Sequence, residues 1–161
     1  MLFSLFYMIS ELEIYLTVEN IYFWSNIGIL PFWLLIIFIP NSKFTRILTN
    51  SIIIPLILAS AYSFIIYKAI LLDEKILEIF NLYASLDNLY TIFATESFLL
   101  VFWLHFLALN IFLGSWISID AIKHSVPKIF TGIVLIIVYF AGPFGLVLYW
   151  FVRIFYSKKL A

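Results

Sequence analysis

The chain contains no cysteine. Disulfides, thiolate metal sites and cysteine nucleophiles are therefore excluded, and the redox state of its compartment goes unread. Charge is nearly as scarce: only 11% of the 161 residues are Asp, Glu, Lys or Arg, against about 25% in an ordinary soluble domain. The nine bases balance the nine acids, so nothing marks a polyanionic partner such as nucleic acid. His105 and His124 are the only histidines, too few for an all-histidine metal site, and neither a metal nor any other cofactor is expected. The opening MLFSLFYMISELE has no basic n-region and no A-x-A-like cleavage site, and we read no signal or transit peptide there.

What is abundant is apolar side chain, at 65% of the residues. A soluble globule of this size has too much surface for its core to hide that fraction. A soluble enzyme, a nucleic-acid binder and a disordered tail are excluded, and the class is integral membrane.

The charges cluster, and the gaps between them are the main structural signal. Asn20–Ser42, Ile47–Tyr67, Ser97–Ile119 and Ile129–Val152 are charge-free over 23, 21, 23 and 24 residues. About 20 apolar residues carry a helix across about 30 Å of hydrocarbon. Runs such as Phe32–Ile39 and Gly132–Phe140 lack the alternation of a membrane β-barrel. The expected architecture is an all-α bundle of four transmembrane helices, over about 20–42, 47–67, 97–119 and 129–152, forming a single membrane domain over 1–161. Between the second and third windows, Glu74, Glu78, Asn81, Ser85, Asn88 and Thr95 oppose Ile76, Ile79, Phe80, Tyr83, Leu86, Tyr90 and Phe93. That pattern predicts an amphipathic interfacial helix over about 73–95, either a plain surface helix or a flap over a lipophilic cavity. With four spans, Lys43, Arg46, Lys123 and Lys128 fall on one side and Lys68, Lys75, Arg153, Lys158 and Lys159 on the other. Such an even division leaves orientation open.

Polar residues at mid-membrane are costly and are functional candidates by default. His105 and Asn110 lie within about 5 Å of the midpoint of the third window along the axis. Pro31 and Pro55 sit at the same depth in the first two, and Gly142-Pro143-Phe144-Gly145 in the fourth. Broken helices are tolerated at this depth where they face protein or a cavity, although small residues and proline also serve plain packing. A neutral His105 could relay a proton or act as an acid/base, or simply bond to Tyr62 or Ser63. Asn110 is about 140° around the helix from His105, so the two do not share a face. Asp120 ends the third helix against the dipole and therefore needs a justification, such as solvation at the rim or a partner like Lys123. Trp33 and Trp103 lie deep enough to offer stacking walls.

The stretch ESFLLVFWLHFLALNIFLGSWISIDA, from Glu96 to Ala121, resembles the central motif of a small four-span membrane family. These are the abscisic-acid-deficient-four-like proteins, which include the neoxanthin synthase of plant plastids. Trp103, His105, Leu107, Ala108, Gly114, Trp116, Asp120 and Ala121 carry the match. It is flanked by Asn26, Leu30-Pro31-x-Trp33, Pro40, Thr45, Pro127 and Gly142-Pro143-x-Gly145-Leu146-x-Leu148-Tyr149. The resemblance covers roughly Asn26 to Arg153. It implies carotenoid chemistry or carotenoid binding, in a bacterial inner membrane or a plastid or thylakoid-like membrane. Against the family pattern, Asn110 replaces Asp and Ser115 replaces Arg, and an amide cannot serve as a general base.

The expected function is a membrane-embedded, neoxanthin-synthase-like modification of a carotenoid or other long apolar polyene. His105 and Asp120 are the candidate catalytic residues, with Asn26, Trp33, Trp103, Asn110, Gly142 and Pro143 binding the ligand. The competing expectation is a non-catalytic pigment-binding or assembly subunit. Carotene cleavage toward retinal is weaker still, because two histidines do not supply its usual iron ligands. Besides the ligand and the lipid bilayer, a second copy of the chain or a membrane-complex subunit is the remaining partner class.

Overall fold

The long central helix organises the molecule because it is apolar on every side, the composition of a helix surrounded by other helices or lipid. In the computed structural model, which describes residues 15–48, 53–68 and 83–157, seven helices run in order. They are α1 (Val18–Phe38), α2 (Lys43–Leu48), α3 (Ile53–Tyr67), α4 (Leu86–Phe93), α5 (Glu96–Lys123), α6 (Lys128–Ala141) and α7 (Pro143–Ser157). There is no strand among the described residues. The central helix is α5, against which α1, α3 and α6 pack. Its buried side chains include Leu104, Leu107, Ile111 and Ile117, together with the small residues Gly114, Ser118 and Ala121. Small residues at this spacing let a neighbouring helix come close, which is how helices associate where lipid removes the hydrophobic drive. At Gly114 an added Cβ would lie 2.8 Å from the indole of Trp33.

Counted over the described residues, three stretches are long and apolar enough to cross a membrane: Val18–Phe38, Lys43–Tyr67 and Glu96–Lys123, of 21, 25 and 28 residues. The second comprises α2, α3 and residues 49–52, which lie outside the described residues. The Thr17 side chain caps α1 by accepting from the Asn20 amide at 3.2 Å, and the helix continues through Pro31. The chain leaves α5 through Ser125 at φ +53, with the Val126 amide donating to the Ala121 carbonyl at 2.9 Å. This is a left-handed helix stop of the kind glycine usually makes.

The fourth window departs from the expected single span. It forms two helices of 14 and 15 residues, α6 and α7, broken at Gly142 (φ +41). A positive φ suits glycine, and Pro143 takes the first position of the next helix, where its missing N–H costs nothing. The two helices turn back on each other. Phe130, near the start of α6, lies 6.0 Å ring to ring from Tyr156 near the end of α7, and Gly145 sits against Val138. Each helix is only about 21–23 Å long at 1.5 Å per residue. The two open ends of this hairpin therefore lie together at one end of the bundle, with its tip at Gly142 beside the middle of α5.

That geometry moves Arg153 from where a four-span count places it. Arg153 contacts Asp120 and His124 at the end of α5, so it joins Lys43, Arg46, Lys123 and Lys128 at one end of the bundle. Glu19 and Glu96 line a cavity at the opposite end. Of the amphipathic helix expected over 73–95, the described residues hold only Leu86–Phe93, capped by Ser85. Leu86 and Tyr90 are exposed and Ile92 is buried; residues 73–82 lie outside the described ones.

The hairpin depends on close approach at Gly145. A Cβ there would fall 2.7 Å from the Val138 nitrogen and 2.9 Å from its Cα, and backbone atoms cannot swing aside as a side-chain tip can. Gly145→Ala is expected to spread α6 from α7 and cost about 1–3 kcal/mol, read as a lower melting temperature. Gly28, with nothing among the described residues within 4 Å of an added Cβ, is the control. Gly28→Ala should melt at or above the parent because alanine suits a helix better by about 1 kcal/mol.

Candidate functional site

Three groups of polar side chains are arranged along α5. The first is His105, nine residues into the helix and so about 14 Å along it. It is exposed on the side facing α3, with its ring 6.0 Å from that of Tyr62. Together with Pro55, Ala59, Ala108 and Phe112 it lines an apolar groove of about 410 Å³. The hydrogen bond that would have made it a simple interhelical tie is not formed to Ser63, whose hydroxyl donates to the Ala59 carbonyl at 2.8 Å.

The second group lies at mid-helix, on the far side of α5. Asn110 is 5% exposed, and its carboxamide abuts the hairpin tip: a Cβ on Gly142 would fall 2.5 Å from Asn110 Oδ1. On α1, Trp33 is 3% exposed, wedged between Gly114 and Tyr139, whose ring it meets edge-on at 5.4 Å. Two buried donors here, Asn110 Nδ2 and Trp33 Nε1, have no hydrogen-bond partner among the described residues. Trp33 is thus enclosed within the bundle and does not line the His105 groove. Toward the start of α5, Trp103 Nε1 donates to Asn26 Oδ1 at 3.1 Å, and Asn26 Nδ2 donates to the Tyr22 carbonyl at 2.7 Å. Trp103 stacks on Phe106 at 5.4 Å and, with Tyr22, Glu19 and Glu96, borders a cavity of about 480 Å³.

The third group closes the other end of the helix. Asp120 Oδ2 accepts from the Tyr149 hydroxyl at 2.7 Å and from Arg153 Nε at 2.9 Å. Arg153 Nη2 also reaches His124 Nε2 at 3.2 Å. A guanidinium only donates, so that imidazole nitrogen accepts, and the proton sits on Nδ1, which faces the Asp120 carbonyl at 2.9 Å. Asp120 therefore finds its justification in α7, through Tyr149 and Arg153, rather than in Lys123. Tyr149 and Arg153 are four apart and share a helix face. That spacing was visible in the sequence, but only the returning hairpin carries the face to Asp120.

The structure thus brings Asn26 to Trp103 and Asn110 to Gly142. It does not bring His105 to Asp120. Fifteen residues separate them, about 22 Å along α5, so no single reacting atom can touch both.

Three apolar stretches of membrane-spanning length and a broken helical hairpin, counted over the described residues, mark a small α-helical membrane protein. The family comparison agrees with the motif read around His105. The chain belongs to the ABA DEFICIENT 4-like family, whose model matches residues 20–149. No curated protein and no solved structure matches it.

Proposed function

We propose that this protein takes a carotenoid-type polyene from the bilayer and modifies it, with His105 as the acid/base group. The observation that carries this reading is the groove between α3 and α5. It is apolar, opens at the surface of the bundle, and carries an imidazole in its lining, in a chain of this family. A polyene can lie against Tyr62 and Phe112 while His105 removes or delivers a proton at one carbon or oxygen of the chain. Conversion by proton movement alone, as in an isomerisation, needs no redox partner. Asp120, committed to Arg153 and Tyr149, fastens the hairpin in this reading and takes no part in the chemistry.

A second reading has its own observation. Asn110, where the family pattern has Asp, is neutral, and no carboxylate among the described residues lines the His105 groove. This favours a non-catalytic pigment-binding or assembly subunit. Co-expression in a carotenoid-producing host separates the two. Pigment chromatography should show a new polyene absent from the host carrying an empty vector. Unchanged pigment co-purifying with the protein would favour the binder, and neither a product nor a bound pigment would remove the carotenoid reading.

A further inference from the structure

A cavity of about 270 Å³ opens where three helix ends meet: the C-termini of α1 and α5 and the N-terminus of α6. At the two C-termini the carbonyls are occupied. The Ile39 carbonyl accepts from the Thr45 hydroxyl at 2.8 Å and from the Ser42 amide at 3.2 Å. The Ala121 and Ile122 carbonyls accept from the Val126 and Ser125 amides at 2.9 and 3.2 Å. The N-terminus of α6 is open. Pro127 precedes it without a side-chain cap, and the Lys128 and Ile129 amides belong to a first turn that has no intrahelical acceptors. Lys128, Ser125, Asn41 and Ser118 line the cavity. Ser118 is only 2% exposed, yet its hydroxyl makes no hydrogen bond among the described residues. The bonding capacity left open here is that of donors, at the positive end of a helix.

Charge points the same way. Lys43, Arg46, Lys123 and Lys128 gather at this end of the bundle without a carboxylate partner among the described residues. Asp120, the one described acid there, is engaged by Arg153 and Tyr149. We infer that this cavity binds the phosphate of an anionic phospholipid, held by the Lys128 ammonium, the first-turn amides of α6 and the Ser118 hydroxyl. A lipid fits better than a free anion because the lining turns apolar at Ile36 and Ile37, which suit the glycerol and the first acyl carbons. Four unneutralised cations favour a headgroup of net negative charge over a zwitterionic one. The inference goes beyond the polyene reading and does not depend on it. Ser118 lies thirteen residues past His105, about 20 Å along α5, and no residue lining this cavity lines the His105 groove.

The test uses the full chain in detergent micelles holding equal amounts of dioleoyl phosphatidylglycerol and dioleoyl phosphatidylcholine, with native mass spectrometry counting the lipids that stay bound. One phosphatidylglycerol should be retained, in about tenfold preference to phosphatidylcholine. Lys128→Gln should lower that preference about fivefold, the worth of one lysine beside an anionic headgroup. Ser118→Ala should lower it about threefold, the worth of one hydrogen bond. Lys43→Gln removes the same charge from the same end but lies outside the cavity lining, and should change it by less than about twofold. Excess inorganic phosphate should leave the lipid in place. Equal retention of the two lipids, or retention of neither, would overturn the site. An equal loss in Lys43→Gln and Lys128→Gln would replace it with a diffuse charged surface, and displacement by inorganic phosphate would assign the cavity to a soluble anion; either overturns the lipid site.

Discussion

His105→Ala is expected to lower polyene conversion by about 10²–10⁴-fold, the usual contribution of a positioned acid/base, with little change in fold. His105 is exposed in its groove and meets Tyr62 only ring to ring, so removing the imidazole opens no buried void and breaks no tie between helices. Loss of activity would then reflect lost chemistry, not lost structure. Initial rates at matched amounts of protein in the membrane, with melting temperature measured alongside, check both halves of the expectation. His105→Gln should be nearly as inactive, because an amide fills similar space yet cannot exchange a proton near neutral pH. A variant that keeps full conversion would strike His105 from the chemistry.

Asp120→Ala should destabilise the protein by about 3 kcal/mol. The substitution strands the Tyr149 hydroxyl, which is almost wholly buried, and deprives Arg153 of its counter-charge. The figure lies at the low end for a broken buried pair because the Arg153 side chain is a third exposed and regains water. Asp120→Asn should cost less, since the amide oxygen can still accept from Tyr149. Tyr149→Phe removes one hydrogen bond alone and should cost about 1 kcal/mol. Thermal unfolding in a fixed detergent ranks the three. If Asp120→Ala and Tyr149→Phe melt together, the cluster does not fasten the hairpin.

The three long spans were legible because charge-free length is a direct consequence of bilayer thickness. The fourth window was read as one span for the same reason, and in the structure it is two helices broken at Gly142. Twenty-four charge-free residues suit one full crossing and equally two half-crossings, and length alone does not separate them. The information was local instead: Gly142 can take a positive φ, Pro143 starts a helix, and Gly145 allows its backbone to lie against Val138. Those residues marked a break, but not the direction in which the chain continued after it. That one unknown carried the other errors. With α7 continuing outward, Arg153 falls at the wrong end of the bundle and Asp120 has only Lys123 within reach.

The mid-membrane layer was read from depth alone, and the structure brings two of its members together. Asn110 meets Gly142, and both lie near the centre of α5. Facing was harder to read. The angle around α5 separated His105 from Asn110, yet Trp33 looked like a ligand wall and is enclosed by Gly114 and Tyr139. An aromatic on a lipid-length helix can face ligand, lipid or protein, and its neighbours on other helices decide which. The Trp103–Asn26 hydrogen bond joins residues 77 positions apart, beyond what spacing along one segment can reveal.

The fold-back of the hairpin sets the position of Arg153 and of Gly142 beside Asn110, and its consequence in a membrane can be measured directly. The chain has no cysteine, so single cysteines at Ser125, Ser157 and Glu96 can be probed with a membrane-impermeant maleimide in sealed vesicles of known orientation. Ser125→Cys and Ser157→Cys should label from the same side, and Glu96→Cys from the opposite one. With Arg153 counted beside Lys43, Arg46, Lys123 and Lys128, that shared side should be the cytoplasmic one or its equivalent. Labelling of Ser157→Cys together with Glu96→Cys would mean that the fourth window crosses the membrane, contradicting the hairpin.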